Sequence, residues 1–160
     1  MLMNEQQVHT LMEALPYLSN FKDKTIVVKY GGNAMLNDEL KNKVLQDILF
    51  LQYAGMRPVV VHGGGPEISR QLEQAGKKSE FVGGLRVTDA ESAAIAEMAL
   101  VGKMNTDLVG RLNALGGKAV GLNGKDANLL KAKKYLADVY ENGDVNLVDI
   151  GFVGSVKEVN

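Results

Sequence analysis

The chain contains no cysteine and no tryptophan, and it has only two histidines and three prolines. Without cysteine there can be no disulfide, no thiolate nucleophile and no sulfur-ligated metal. His9 and His62 alone are too few for an imidazole-rich metal centre. Long apolar runs are missing too: no stretch approaches the roughly 18 residues that would span a bilayer. The N-terminal MLMNEQQVHTLMEALPYL has neither a basic leader nor a small-residue cleavage site, so it does not read as a secretory signal. Charge of one sign is also lacking, since 18 basic residues face 19 acidic ones for a net −1. That balance excludes the basic footprint of a nucleic-acid-binding protein. A cytoplasmic protein with no membrane or nucleic-acid partner is expected.

What the chain does have is glycine, 18 in 160 residues, gathered in short groups behind apolar runs. The stretch VVVHGGGPEISRQL, from Val59 to Leu72, is the sharpest case. Each glycine loses more backbone freedom on folding than any other residue, so three in a row call for a reason.

The apolar spacing of residues 4–19 predicts a helix that Pro16 should end or kink. TIVVKYGG, Thr25 to Gly32, reads as a buried strand running into a tight loop. Asn37 then caps a helix that continues to Ala54 and stops at Gly55. Pro58–His62 forms a second strand, and Pro66 opens a helix lasting to Ala75 and Gly76. Thr88 and Glu91 suggest a capping box for a helix through Leu100, and another helix is expected from about Asn105 to Leu115. KAVGLNG reads as a short strand. KKYLADVY and VNLVDIGFVGSVKEVN read as two more, joined by a hairpin turn at Glu141-Asn142-Gly143-Asp144. Strands alternating with helices predict an α/β fold: a three-layer αβα sandwich with a mostly parallel central sheet and a β-hairpin appendage. The runs IVV and VVV fit strands buried on both faces.

In such sheets ligands sit beyond the carboxyl ends of the strands, at helix N-termini. Two glycine loops fall there, Gly31-Gly32 and Gly63-Gly64-Gly65. Their bare amides could cradle an anion, phosphate above all. Lys29 closes an apolar strand beside them, and two readings stay open: an ammonium reaching that anion, or one snorkelling to the sheet edge. Arg86, after Gly83-Gly84, offers a fork for a carboxylate or is a solvated surface arginine. His62 reads as a packed strand end rather than a base, and Lys131, Lys133 and Lys134 as a solvated face; Asp126 reads as a turn or cap residue, with a polar contact in the site as the other reading.

Several phosphate and hydrolase motifs are excluded. None of the Gly-Lys pairs is followed by Ser or Thr, so there is no P-loop. Ile68 stands where a dinucleotide fingerprint needs its third glycine. HGGG matches the oxyanion segment of some esterases, but the chain has no G-x-S-x-G elbow.

Taken together, IVVKYGGNAM, VVVHGGGPEI, GLRVTD, GLNGKDANLL and VDIGFVGSVKEVN resemble the N-acetylglutamate kinases of the amino acid kinase superfamily. The resemblance implies transfer of the γ-phosphoryl group of Mg-ATP to the γ-carboxylate of N-acetyl-L-glutamate in arginine biosynthesis, without a prosthetic group. It implies that Lys29 stabilises the transferring phosphoryl group. Gly31, Gly32 and Gly63 would lie near the phosphates, Gly64 and Gly65 would donate to the phosphoryl group and acetylglutamate, and Arg86 would hold the α-carboxylate. Arginine-inhibited members carry an N-terminal helix ending in a motif like EALPYL, here Glu13–Leu18. That likeness suggests a homodimer or hexamer with Tyr17 near an arginine site; a simple amphipathic helix is the other reading. Residues 1–20 are then the regulatory helix and 21–160 the acetylglutamate-binding and dimerisation domain. The nucleotide-binding domain would be absent, and the chain alone inactive. A non-catalytic binding module, or a kinase of the same superfamily acting on another carboxylate, stays open as an alternative.

Overall fold

The computed structural model describes residues 4–31, 35, 37–141 and 144–160. Gly32, expected in the first glycine loop, lies outside the described residues, as do Asn142 and Gly143 of the expected hairpin turn. The fold is α/β and contains a parallel sheet. It divides into two compact units: one holds the chain up to Gly63 plus Gly110–Ala119, the other Gly64–Val109 plus Val120–Asn160.

The first unit contains α1 (Glu5–Phe21), β1 (Thr25–Tyr30), α2 (Asp38–Tyr53) and β2 (Arg57–His62). α1 starts with a capping box in which Asn4 and Gln7 each bond the other's backbone amide. Of the two expectations for Pro16, a stop or a kink, the stop fails: the helix continues through Pro16 to Phe21, although proline cannot supply the amide the helical ladder needs there. α1 has no buried residue. Asn37 caps α2 by accepting from the Leu40 amide at 3.0 Å, with Asp38 and Glu39 in the first turn, where the helix dipole favours negative charge.

β1 and β2 pair in parallel, with Val27 opposite Val59, Lys29 opposite Val61 and Tyr30 opposite His62. Tyr30, Leu45, Ile48, Leu49 and Met56 form the core of this unit. The other face of the strand pair is open, with Val27 66%, Val59 47% and Val61 53% exposed. The expectation that IVV and VVV are buried on both faces therefore fails for this unit. Of α1 and α2, only α2 contributes to that core.

Residues 110–119 are stitched onto α2. The Tyr53 hydroxyl donates to the Gly116 carbonyl at 3.0 Å, and Arg111 bonds Asp38 at 3.2 Å. Ala119 is held in both directions by Asn113, whose amide group donates to its carbonyl and whose Oδ1 accepts from its N–H.

The second unit contains α3 (Gly65–Gln74), β3 (Phe81–Val82), β4 (Leu85–Arg86), α4 (Ala90–Glu97), a π-helix over Met98–Asn105, the start of α5 (Thr106–Ala114), β5 (Leu130–Glu141) and β6 (Asp144–Val159). The two helices expected to Leu100 and from Asn105 are thus one continuous helical path. Gly83 and Gly84, both at positive φ, make the two-residue turn that folds β3 back on β4. β5 and β6 pair antiparallel.

The expected strand in KAVGLNG does not form. Val120 and Leu122 are 84% and 66% exposed, and Asn105 takes the Leu122 carbonyl. With Asn113 already holding Ala119, side-chain amides occupy backbone groups that a ladder would use.

Leu72, Ile95, Ala99, Leu108, Ala137 and Ile150 form the core of the second unit. One contact sets its geometry. Thr88 bridges to Gly151: the Thr88 amide donates to the Ile150 carbonyl at 2.9 Å, and the Phe152 amide donates to the Thr88 carbonyl at 2.7 Å. Gly151 has a φ of +85°, and a Cβ there would run into the Thr88 carbonyl. Gly151→Ala is therefore expected to destabilise the chain by about 2–5 kcal/mol through strain and overpacking together. Gly110→Ala, in a helix with open space around it, should be neutral or stabilise by up to about 1 kcal/mol. Urea unfolding of the two variants checks both signs.

Candidate functional site

The second unit brings Arg86 and Gly65 together. Arg86 ends β4, and its guanidinium lies 4.7 Å from the centre of the Phe81 ring, opposite it across the hairpin. One of its terminal nitrogens bonds the Ser79 hydroxyl. The other donates to Ser69 Oγ at 2.9 Å and reaches the Gly65 carbonyl at 3.4 Å. A serine hydroxyl that accepts from arginine still has its own proton to give. A carboxylate arriving here would thus meet both remaining guanidinium donors and hydroxyl donors.

The backbone of Arg86 is fixed from behind. Thr88, buried, donates from Oγ1 to the Arg86 carbonyl at 2.8 Å. This displaces the expected capping box: the N-cap of α4 is Asp89, whose Oδ1 accepts from the Ser92 amide at 2.7 Å. Glu91, instead of closing the box, bonds Lys77 at 2.8 Å. Lys77 also holds Asp89 at 2.7 Å, and with the Ser92 amide it brings the Asp89 carboxyl from 3.8 down to about 2.

Gly64 is the N-cap of α3, so the helix opens on Gly65 with Pro66 second. The three loop glycines differ. A Cβ on Gly63 or Gly65 would meet open space, whereas one on Gly64 would strike Leu100 and Met104. Glu67 lies in the first turn and accepts from Arg70 at 2.6 Å, Gln71 at 2.9 Å and Lys103 at 2.9 Å. Arg70 above all, helped by Lys103 and Gln71, lowers its carboxyl from 4.5 to about 2.

In the first unit, Lys29 is exposed at the penultimate position of β1; the strand ends one residue later, at the buried Tyr30. Among the described residues nothing bonds the Lys29 ammonium. The Gly63 amide donates to the Tyr30 carbonyl at 3.0 Å, extending the parallel ladder by one bond past β2. A Cβ on Gly31 would meet only Met35, at 4.0 Å. His62 ends β2, and its Nδ1 lies 3.0 Å from the Gly63 carbonyl. Tyr17 stands 71% exposed on α1.

The chain matches the amino acid kinase family over residues 24–159. It belongs to that family. An acetylglutamate kinase of Pelotomaculum thermopropionicum is 55% identical over 156 residues, covering 97% of this chain and 53% of the relative. One of Methanosphaera stadtmanae is 50% identical over 154 residues, covering 95% and 52%. The chain spans about half the length of the curated relatives it matches. Among solved structures, N-acetylglutamate synthase from Neisseria gonorrhoeae, complexed with coenzyme A and N-acetyl-glutamate, superposes with a TM-score of 0.66 at 27% identity. That match covers 95% of this chain and 32% of the synthase.

Ser69, Ser79, Phe81, Glu67 and Lys103 of this amino acid kinase domain were not singled out from sequence. Ser69 and Glu67 had a usable signal, because both lie on the first turns of the helix behind the glycine loop. Ser79 and Phe81 had none, since only the folded hairpin puts them beside Arg86. Asp126, read as a turn residue, accepts from the Asn123 amide at 2.8 Å. Lys131 and Lys134 pair across the β5–β6 ladder with Glu158 and Asp149.

Because the folded Glu67 carboxyl titrates below its ordinary value, its ion pairs stabilise the fold fully above about pH 4.5. That contribution is lost as the pH falls toward about 2. Glu67→Gln should lower stability at neutral pH and flatten the acid limb of the stability profile over that window. Asp89 leaves part of the slope in place, since it is lowered to about 2 as well. Urea midpoints measured from pH 7 to pH 2 test this.

Proposed function

We propose that this chain is the amino-acid-binding half of an acetylglutamate kinase, an enzyme that moves the γ-phosphoryl group of ATP to the γ-carboxylate of N-acetyl-L-glutamate. The observation that carries the reading is the Arg86 fork, steadied by Ser69, Ser79 and Phe81 and set against the first residue of α3. The identity with curated acetylglutamate kinases, 50–55% over nearly the whole chain, supports it.

In this reading Arg86 takes the α-carboxylate. The amides of Gly64 and Gly65 receive the anionic groups at the N-terminal end of α3, and those of Gly31, Gly32 and Gly63 line the phosphate side. Lys29 stabilises the charge on the phosphoryl group as the carboxylate oxygen attacks phosphorus in line and the β-phosphate leaves. No side chain need become a nucleophile; alignment of two mutually repelling anions and fixed N–H donors do the catalytic work. Mg2+ would come with ATP, held mainly by its phosphates, and would screen their charge.

The finer architecture goes with this reading. The open valine face of β1 and β2 would be covered in a three-layer sandwich with a mostly parallel central sheet. Residues 1–20 would serve as an oligomerisation and arginine-sensing helix near Tyr17, and 21–160 as the substrate and dimer domain. Homodimers or hexamers would form, and the nucleotide would be held by residues outside this chain. The setting is cytoplasmic; among the described residues no helix is long and apolar enough to cross a membrane.

Calorimetry tests the reading. The chain should bind N-acetyl-L-glutamate and not Mg-ATP, and Arg86→Ala should weaken binding about tenfold or more through loss of a charge-assisted pair. Tight ATP binding, or acetylglutamate binding indifferent to Arg86→Ala, would overturn it. In a full-length kinase carrying this domain, Lys29→Ala should lower kcat by about 10²–10³ with little change in the affinity for acetylglutamate. Steady-state assays with acetylglutamate varied at saturating ATP would show it.

A further inference from the structure

We propose that the π-helix Met98–Asn105 is the positioning element of the glycine loop: Leu100 and Met104 occupy the space a side chain at Gly64 would need, and so fix the direction in which the Gly64 and Gly65 amides face. The inference rests on the reading that those amides receive the anionic substrate, and it adds residues distant in sequence that set their geometry.

Three observations converge on it. First, the glycines of the loop are bare for different reasons. Gly64 has a φ of −177°, extended backbone that any residue adopts, so conformation does not require glycine there. Packing does: an added Cβ would lie 2.7 Å from Met104 Sδ and closer still to Leu100 Cδ2. Gly63 and Gly65 face open space and are available to a ligand.

Second, the same two segments are tied by charge. Lys103, between Met104 and Gly102 on the π-helix, pairs at 2.9 Å with Glu67 in the first turn of α3. One ion pair, to Glu67, and two apolar neighbours, at Gly64, therefore dock the π-helix against the start of α3.

Third, the helix is of an uncommon kind. α4 runs into the π-helix and on into α5 without a break, and the stretch of wider turns is eight residues long. Thr106 marks its end by donating from Oγ1 to the Val101 carbonyl, five residues back, at 3.2 Å. π-turns are seldom longer than one turn and persist where function or packing requires them. The wider turn changes which side chains a helix directs toward a neighbour. Here those that reach α3 and its loop are Leu100, Lys103 and Met104.

The test follows two signals in the 160-residue chain: exchange of the Ile68 amide with deuterium, and calorimetric titration with N-acetyl-L-glutamate. The Ile68 amide donates to the Gly64 carbonyl at 2.9 Å, the first bond of α3, and so reports how the loop is seated. Gly64→Ala should speed Ile68 exchange and weaken acetylglutamate binding, each by about tenfold or more, as expected for overpacking. Adding Leu100→Ala to Gly64→Ala should restore much of both by reopening the space.

Equal exchange and affinity in Gly64→Ala and the parent chain would overturn the inference, as would strictly additive effects in the double variant. If Gly64→Ala does not fold, Leu100→Ala and Lys103→Met, which remove atoms rather than crowd them, should each speed Ile68 exchange more than that of the Leu45 amide in α2. No difference between the two amides would equally overturn it. The two readings can fail separately. Loss of Ile68 protection in a chain that never binds acetylglutamate would sink the proposed substrate and leave the positioning role standing. Normal acetylglutamate binding that ignores Gly64→Ala would do the reverse.

Discussion

Thr88 gives up both of its backbone groups to β6, one to Ile150 and one to Phe152, and keeps its hydroxyl for the carbonyl of Arg86. That arrangement exists only because residue 151 has no side chain and a left-handed backbone. Much of the second unit follows from it. The bridge holds the end of the β3–β4 hairpin against a long strand, the hairpin presents Phe81 beneath Arg86, and the guanidinium is left with one orientation. Ser69 and Ser79 then meet it from α3 and from the segment before β3. A long charged side chain ordinarily gives up much rotamer freedom on binding a ligand. Here folding has already restricted it.

Negative charge is placed at the starts of the helices. Glu5, Asp38 and Glu39, Glu67 and Glu91 each lie in a first turn, where free amides and the dipole favour them. At α3 this works against an anion site, since Glu67 brings a carboxylate to the same helix end. Arg70 and Lys103 resolve the conflict: three charges sum to one positive. The helix end that receives the proposed substrate is thus not electronegative despite its acid.

The strand–glycine–helix units were legible because their signals are local. An apolar run, a bare loop and a cap such as Asn37 lie within a few residues of one another. The N-cap of α4 was misread by one position because Thr88 is engaged in the long-range bridge to β6, which leaves Asp89 to cap. The strand expected in KAVGLNG failed for a similar reason, as Asn105 and Asn113 claim its carbonyls and amide from other parts of the chain. Pro16 looked like a stop or a kink, yet the lack of one amide was not enough to end α1. Lys29, Gly31 and Gly63–Gly65 could be picked out because each borders a strand end. The company Arg86 keeps could not be seen, since Ser69, Ser79 and Phe81 reach it only through tertiary contacts. The π-helix was hidden as well: its residues have ordinary helical spacing, and only the backbone bonding distinguishes it.

The two units are interleaved along the chain, and this has a consequence for synthesis. The first unit needs residues 110–119, which are made only after most of the second, and the second needs residues 120–160, made after the first is complete. On the ribosome, α2 must therefore wait with Leu49 and Tyr53 uncovered on the side where Gly116 and Gly117 will dock. The residues that carry the first core, 30–56, thus leave the ribosome well before the segment that docks on α2, and the first unit is completed only after α3 and α4 have been made.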